Sequence, residues 1–238
     1  MANHVIVDSN THRDLKIDLG FGEELGDKVM SAFVVPEEFR SVQADYPILF
    51  RKDLESEEFA AVALFGFEQD ENLFLEGNRW DAPRRPLSME VQPFLIGRPA
   101  DGDGPGQVHI DMDHPRTGAE DGQPLFDADG KPTDYLDDMA GKLGALDQGF
   151  RASAGFFDAL KRYELLEPFT LEVSLADGSK NNLVGFHILN DDKVAALPSG
   201  ALGELHEAGY LLPIYMALAS LSQLQALVDR KSKRMGLG

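Results

Sequence analysis

The 238-residue sequence contains no cysteine. That removes disulfides, thiolate nucleophiles and zinc–sulfur sites together. It also lacks a run of about 18 apolar residues, so no transmembrane helix is expected. Basic residues are scarce: 22 Lys and Arg face 41 Asp and Glu, for a net charge of −19. Such a surface repels nucleic-acid phosphates and anionic lipid, so neither a nucleic-acid partner nor membrane insertion is expected. The start, "MANHVIVDSNTHRDL", has no basic segment leading into a long apolar one, which points to a cytoplasmic protein rather than a secreted one. Nucleophile and nucleotide motifs are missing as well. No Gly-x-Ser-x-Gly elbow occurs. In "GFGEELG" (20–26), Glu23 and Glu24 would meet a phosphate with like charge, and no Lys-Ser/Thr follows.

What is present reads as a globular protein. Hydrophobic residues make up 43% of the chain, enough for a substantial core, and no linker divides it, so a single domain over 1–238 is expected. The first half alternates short apolar runs with turn residues: "YPILF" (46–50), "FAAVALFGF" (59–67), "NLFLE" (72–76), "VQPFLIG" (91–97) and "QVHIDM" (107–112). "VPEEFRSVQADY" (35–46) has Pro36 and two glutamates at a helix start. From Thr133, the residues Leu136, Met139, Leu143, Leu146, Phe150, Phe157 and Leu160 follow helical spacing. The glycines at 141, 144, 149 and 155 predict a break into two helices. "FTLEVSLADGSKNNLVGFHIL" alternates Phe169, Leu171, Val173 and Leu175, turns at Asp177-Gly178 and returns, as a β-hairpin does. A short helix closed by Gly209 and a last helix from Pro213 to Arg234 follow, the latter with Arg230, Lys231, Lys233 and Arg234 at its C-terminal end. The fold class is α+β: an antiparallel or mixed sheet in the N-terminal half, a late hairpin and C-terminal helices.

Four stretches invite chemistry. "VHIDMDHP" (108–115) holds His109, Asp111, Asp113 and His114, all able to ligate a metal. A His-x-Asp pair from His109 and Asp111 would need a distant histidine, His187 or His206. As a plain strand, the stretch would put His109, Asp111 and Asp113 on a polar face and send Val108, Ile110 and Met112 inward; that reading is preferred, and no metal or other cofactor is expected. "DADGKPTD" (127–134) begins like a calcium loop, but its glycine comes two residues early, so it reads as a turn before a helix. Residues 101–138 carry eleven acids against Arg116 and Lys131 and read as a solvated stretch. "NRWDAPRRP" (78–86) holds the only tryptophan, Trp80, with Arg79, Arg84 and Arg85. An aromatic flanked by arginines is the composition of a partner-binding hot spot; the plainer reading, preferred for Trp80 itself, is a cap on the core after the strand "NLFLE".

The ordered set "VVPEEFRSVQADYPILFRKD", "ALFGFEQDENLFLEGNRWD", "PLFDADGKPTDYL", "LADGSKNNLVGFHIL" and "LLPIYMALASLSQLQALVDRK" resembles the SapC family of bacterial proteins, from about Arg13 to Arg230. The family is distinct from the membrane permease of the same name. The resemblance implies association with a bacterial surface layer and genes beside TonB-dependent receptors, tryptophan-halogenase-like proteins and cupin-like proteins. It supplies no catalytic residues. The link after Trp80 lacks the tyrosine common in the family. The expected function is an accessory protein that binds a peptide or protein, a halogenase-like or cupin-like protein among the partner classes. The alternatives are a metal-dependent oxygenase or hydrolase using the His109–Asp111 region, and a structural component of the surface layer.

Overall fold

A computed structural model describes residues 3–98, 106–174 and 180–236. Leu175, the turn at Asp177-Gly178 and the acids Asp101 and Asp103 lie outside them. In chain order, the first elements are β1 (His4–Ile6), β2 (Lys16–Ile17), β3 (Ser31–Val34), α1 (Phe39–Val42), β4 (Ile48–Lys52) and β5 (Phe59–Leu64). Then come β6 (Leu75–Glu76), β7 (Arg79–Trp80), α2 (Leu87–Glu90), β8 (Phe94–Gly97), β9 (Gln107–Asp111) and β10 (Gln123–Pro124). The last part holds α3 (Asp134–Arg162), β11 (Leu166–Ser174), β12 (Lys180–Leu189), α4 (Asp191–Ala195), α5 (Ser199–Glu207), α6 (Leu211–Ser220) and α7 (Gln223–Arg234). The class is α+β, and every strand pair described is antiparallel.

The chain forms two compact units. The first comprises Met1–Lys28, Leu75–Trp80 and Leu87–Gln148. Its main sheet has the order β1-β9-β8, and Ile110 faces Val5 on one side and Phe94 on the other. Ile110 is fully buried, as the strand reading of 108–112 requires. A buried ion pair ties two distant loops of this unit together. The Arg116 guanidinium donates to both carboxylate oxygens of Asp27 at 2.8 Å and to the carbonyls of Asp18 and Gly20. Asp27 also accepts from the Gly22 amide. Breaking such a pair from one side costs about 3–5 kcal/mol, because a buried charge is left uncompensated.

The second unit comprises Val29–Phe74, Asp81–Pro86 and Gly149–Gly238. Its sheet has the order β11-β12-β4-β5-β3, so the late hairpin joins three strands from the first half of the chain. The register pairs Phe50 with Ala61 and with His187, which puts these three on one sheet face. Phe39 of α1 and Phe156 and Phe157 of α3 meet that layer edge to face: Phe39–Phe50 at 6.4 Å, Phe39–Phe156 at 6.0 Å and Phe50–Phe157 at 6.3 Å between ring centroids. Each such contact contributes about 0.5–1.5 kcal/mol beyond burial. Ser220, fully buried, accepts from the Ile48 amide and donates to the Ala217 carbonyl, fastening the end of α6 to the start of β4 without an unsatisfied hydroxyl.

Three sequence expectations require correction. The glycine-rich helix does not divide; α3 is continuous over 29 residues. Gly149 and Gly155 are sites of close approach, where an added Cβ would come within 2.6 Å of Val35 and 2.5 Å of the Tyr210 hydroxyl. Phe150, counted on the buried stripe, is 45% exposed and lies edge-on to Phe33. The last helix is two. The Leu221 and Ser222 amides bond to the carbonyls of Leu218 and Ala219, three residues back, and this tightened turn separates α6 from α7. By length and composition alone, Leu211–Arg234 is apolar enough to cross a bilayer. In this fold Ile214 and Ala217 are buried, α6 packs on β4, β12 and α1, and Leu212 and Tyr215 are exposed.

Candidate functional site

The metal-ligand candidates of residues 108–115 sit where β9 ends and a turn begins. His109 pairs in register with Ile6 and Leu95, and its ring lies over Gly97, so close that a Cβ there would be 2.2 Å away. Asp111 accepts from the Asp113 amide at 3.0 Å, a side-chain turn that reverses the chain. Its nearest histidine is His4, from β1, at 3.8 Å. His114 accepts from the Arg116 amide through Nδ1. Burial holds its pKa below the ordinary value, and the neighbouring Arg116 charge pushes the same way. The Asp113 side chain is exposed. Among the described residues no three His, Asp or Glu side chains converge on a metal position. His109, Asp111, Asp113 and His114 are therefore not assembled into one donor set, nor is His187 or His206 brought in as a third ligand.

The calcium-like stretch resolves in the same way. Asp127 Oδ1 accepts from the amides of Asp129 and Lys131, and Gly130 takes a φ of +79 that only glycine adopts easily. It is a turn, and Thr133 bonds back to the carbonyls of Pro124 and Leu125 just before α3 starts.

The hot-spot candidates separate by burial. β6 and β7 form a two-residue hairpin around Gly77, at φ +61, with Leu75 opposite Trp80 and Glu76 opposite Arg79. Trp80 is 7% exposed, the burial of a core cap rather than of an open surface. Arg79 is exposed and paired with Glu76 at 2.6 Å. Arg84 is exposed, while its carbonyl accepts from the Tyr46 hydroxyl; Arg85 is half-buried. In the second unit, the cations at the end of α7 hold the neighbouring segment. Arg230 pairs with Asp81 at 2.8 Å and lies 4.4 Å from the Phe74 ring centroid. Lys231, itself buried, bonds Glu68 at 3.0 Å and Glu71 at 2.5 Å, and Arg234 donates to the Asn72 carbonyl. Residues read from sequence as dipole complements thus act as a clamp.

A site that sequence reading missed lies on the five-stranded sheet of the second unit. A groove of about 770 Å³ is lined by Phe33, Leu54, Phe59, Val184 and Phe186, with Arg51 against the Phe186 ring. Leu54 is 92% exposed, Val184 61% and Phe33 49%. Leu54 sits at the tip of the β4–β5 turn between Asp53 and Glu55. Asp53 Oδ1 accepts from the amides of Glu55 and Ser56, and the Ser56 amide and hydroxyl bonds hold its carboxyl below the usual range. Lys52 is paired with Glu57, and Glu58 with Lys161, so the free rim is acidic on balance. The sequence signal was faint: a lone leucine in "RKDLESEE" and a valine beside Gly185. His187, nearby on β12, meets the Phe59 ring edge-on, and burial followed by the Lys52 charge lowers its pKa.

Comparison with known proteins comes down to one match: the SapC family model fits residues 7–227. No curated protein matches, and no solved structure matches.

Proposed function

The chain belongs to the SapC family, and from that premise we propose that it is an accessory binding protein for a peptide or protein partner. The observation that carries this reading is the groove on the sheet of the second unit, where Phe33, Leu54 and Val184 cluster in water. Contiguous exposed apolar surface with a polar rim is what interaction sites present. The partner class is a component of a surface-receptor, nutrient-uptake or peptide-modification system, halogenase-like and cupin-like proteins included, met in the cytoplasm. Trp80 and Arg79 of the first unit, and Arg84 and Arg85 of the second, are retained as partner-binding residues, the arginines as contacts to partner carboxylates.

The test is a native pull-down from the protein's own cells, with mass spectrometry of what is recovered. Wild-type protein should bring down a stoichiometric partner, and Phe33→Asp/Leu54→Asp should lose it while circular dichroism is unchanged; hot-spot truncations of this kind cost about tenfold or more in affinity. Recovery of the wild-type chain alone, or full retention of the partner by the folded double variant, would sink the reading.

A further inference from the structure

β12 is ten residues long, yet β4 pairs with it only at Phe186↔Arg51 and His187↔Phe50. Beyond that point β4 has entered its turn. From Lys180 to Leu183 the strand is paired to β11 on one side, and among the described residues no strand pairs with its other edge. The register slips between Phe169 and Leu171, so that Val184 and Gly185 together oppose Thr170, and Gly185 takes a φ of +83. This is a β-bulge of the kind that needs glycine; it bends the strand and increases its twist. Its consequence here is a change of direction. The arm of the hairpin leaves the line of β4, Val184 is turned outward, and a cleft opens between β12 and the Asp53–Glu58 turn.

Proteins usually blunt an unpaired strand edge with charge, proline or cover. At this edge the described side chains nearest the cleft are apolar, Val184 and Phe186, with Phe33 and Leu54 across it. The unpaired backbone offers hydrogen bonds to an extended chain, and Val184 and Phe186, on either side of the bulge, both line the groove beside it. The rim chooses among occupants by charge. Asp53 and Glu55 flank the exposed Leu54, and their carboxylates outnumber the single Arg51 guanidinium held over Phe186. A second copy of this chain would add another such turn and another net charge of −19. A basic segment meets attraction instead.

We propose that the β12 edge and its groove bind an extended peptide segment alternating apolar and cationic residues, added as a strand beside Lys180–Gly185. This deepens the binding-protein reading and rests on it: it specifies the mode and chemistry of the partner segment. Apolar residues of the segment enter the groove over Val184 and Phe186, cations face Asp53 and Glu55, and the backbone completes the ladder that β4 leaves unfinished.

The experiment uses the full chain and three probes: an acetylated, amidated octapeptide alternating valine and lysine, its valine–glutamate counterpart, and the lysine peptide N-methylated at alternate residues. Calorimetry should show saturable binding of the lysine peptide, and affinity about tenfold or more weaker for each of the other two. Binding should slow amide exchange over Lys180–Gly185, and Val184→Asp, a change at an exposed position, should weaken it by a similar factor. No saturable binding, equal binding of the N-methylated probe, or unchanged exchange overturns the strand-addition inference. So does a concentration-dependent dimer abolished by Val184→Asp, which would assign the edge to self-association. If the cellular partner binds the Val184→Asp protein normally but not Phe33→Asp/Leu54→Asp, this inference fails while the binding reading stands. Recovery of the wild-type chain without any partner is the failure of that reading itself.

Discussion

Four interior glycines on α3 show how little a residue's type says about its role. A Cβ at Gly149 would lie 2.6 Å from Val35 Cγ2 and 2.9 Å from Val35 Cβ, atoms too close to the backbone to swing away. At Gly141 and Gly144 nothing lies within 4 Å. Gly141→Ala and Gly144→Ala should therefore each raise stability by about 0.5–1 kcal/mol, through helix propensity alone. Gly149→Ala should lower it by about 1–3 kcal/mol, since overpacking outweighs propensity. Urea unfolding of the three variants reads both signs, and a Gly149→Ala protein as stable as Gly144→Ala would show that Val35 yields freely. In the sequence all four glycines counted equally as helix breakers. Only the neighbour across the interface separates them. Trp80 teaches the same lesson from the other side: its context admitted both a core cap and a binding surface, and only the fold fixed its burial.

At the scale of elements, α7 is held to the loop before β6 by charge. Lys231 is buried between Glu68 and Glu71, and Glu71 is itself only 13% exposed in its side chain. Lys231→Met keeps the stem and removes the cation, leaving Glu71 without its partner; a loss of about 2–3 kcal/mol is expected. Amide exchange over Glu68–Phe74 should quicken more than exchange in α3. Equal protection in variant and wild type would mean that packing alone holds the loop. Strands with strong apolar runs, β4, β5, β8 and β9, were legible, as was the hairpin of β11 and β12. The division of the last helix was not, because its cause is a turn tightened by three-residue bonds with no proline or glycine to mark it. β3, four residues long with the exposed Phe33 in the middle, carries too short a pattern to stand out.

For the molecule as a whole, acid is the informative variable. Burial leads the lowering of the pKa at both His114 and His187, and neighbouring cations, Arg116 and Lys52, push the same way. A histidine that holds its proton less tightly when folded makes the unfolded state the better proton acceptor. Its stabilising contribution is complete above the ordinary value of 6.5 and is lost as the pH falls through the lower, folded value. Asp8 and Asp53, lowered chiefly by backbone hydrogen bonds from Thr11 and Ser56, act in the same direction at more acid pH. Self-repulsion works the other way, because the net charge of −19 shrinks toward the isoelectric point near 4.6. In about 0.5 M NaCl, where repulsion is screened, stability should fall between about pH 7.5 and pH 5.5. The double variant His114→Gln/His187→Gln should flatten that slope. A level wild-type profile under these conditions would contradict the histidine assignment.

From the sequence by itself came the α+β class, the positions of the strong strands and helices, the absence of thiol chemistry, the acidic charge and the family resemblance. These follow from composition and short-range periodicity, which are local properties. The tertiary structure decided the rest. It joined the late hairpin to β4, packed Trp80, gave His109 and Asp111 ordinary strand and turn partners, and left Leu54, Val184 and Phe33 in water. Those outcomes depend on what a side chain meets from distant parts of the chain. Two apolar residues with the same local pattern can end as core and as surface, and that is a property of packing, not of spacing.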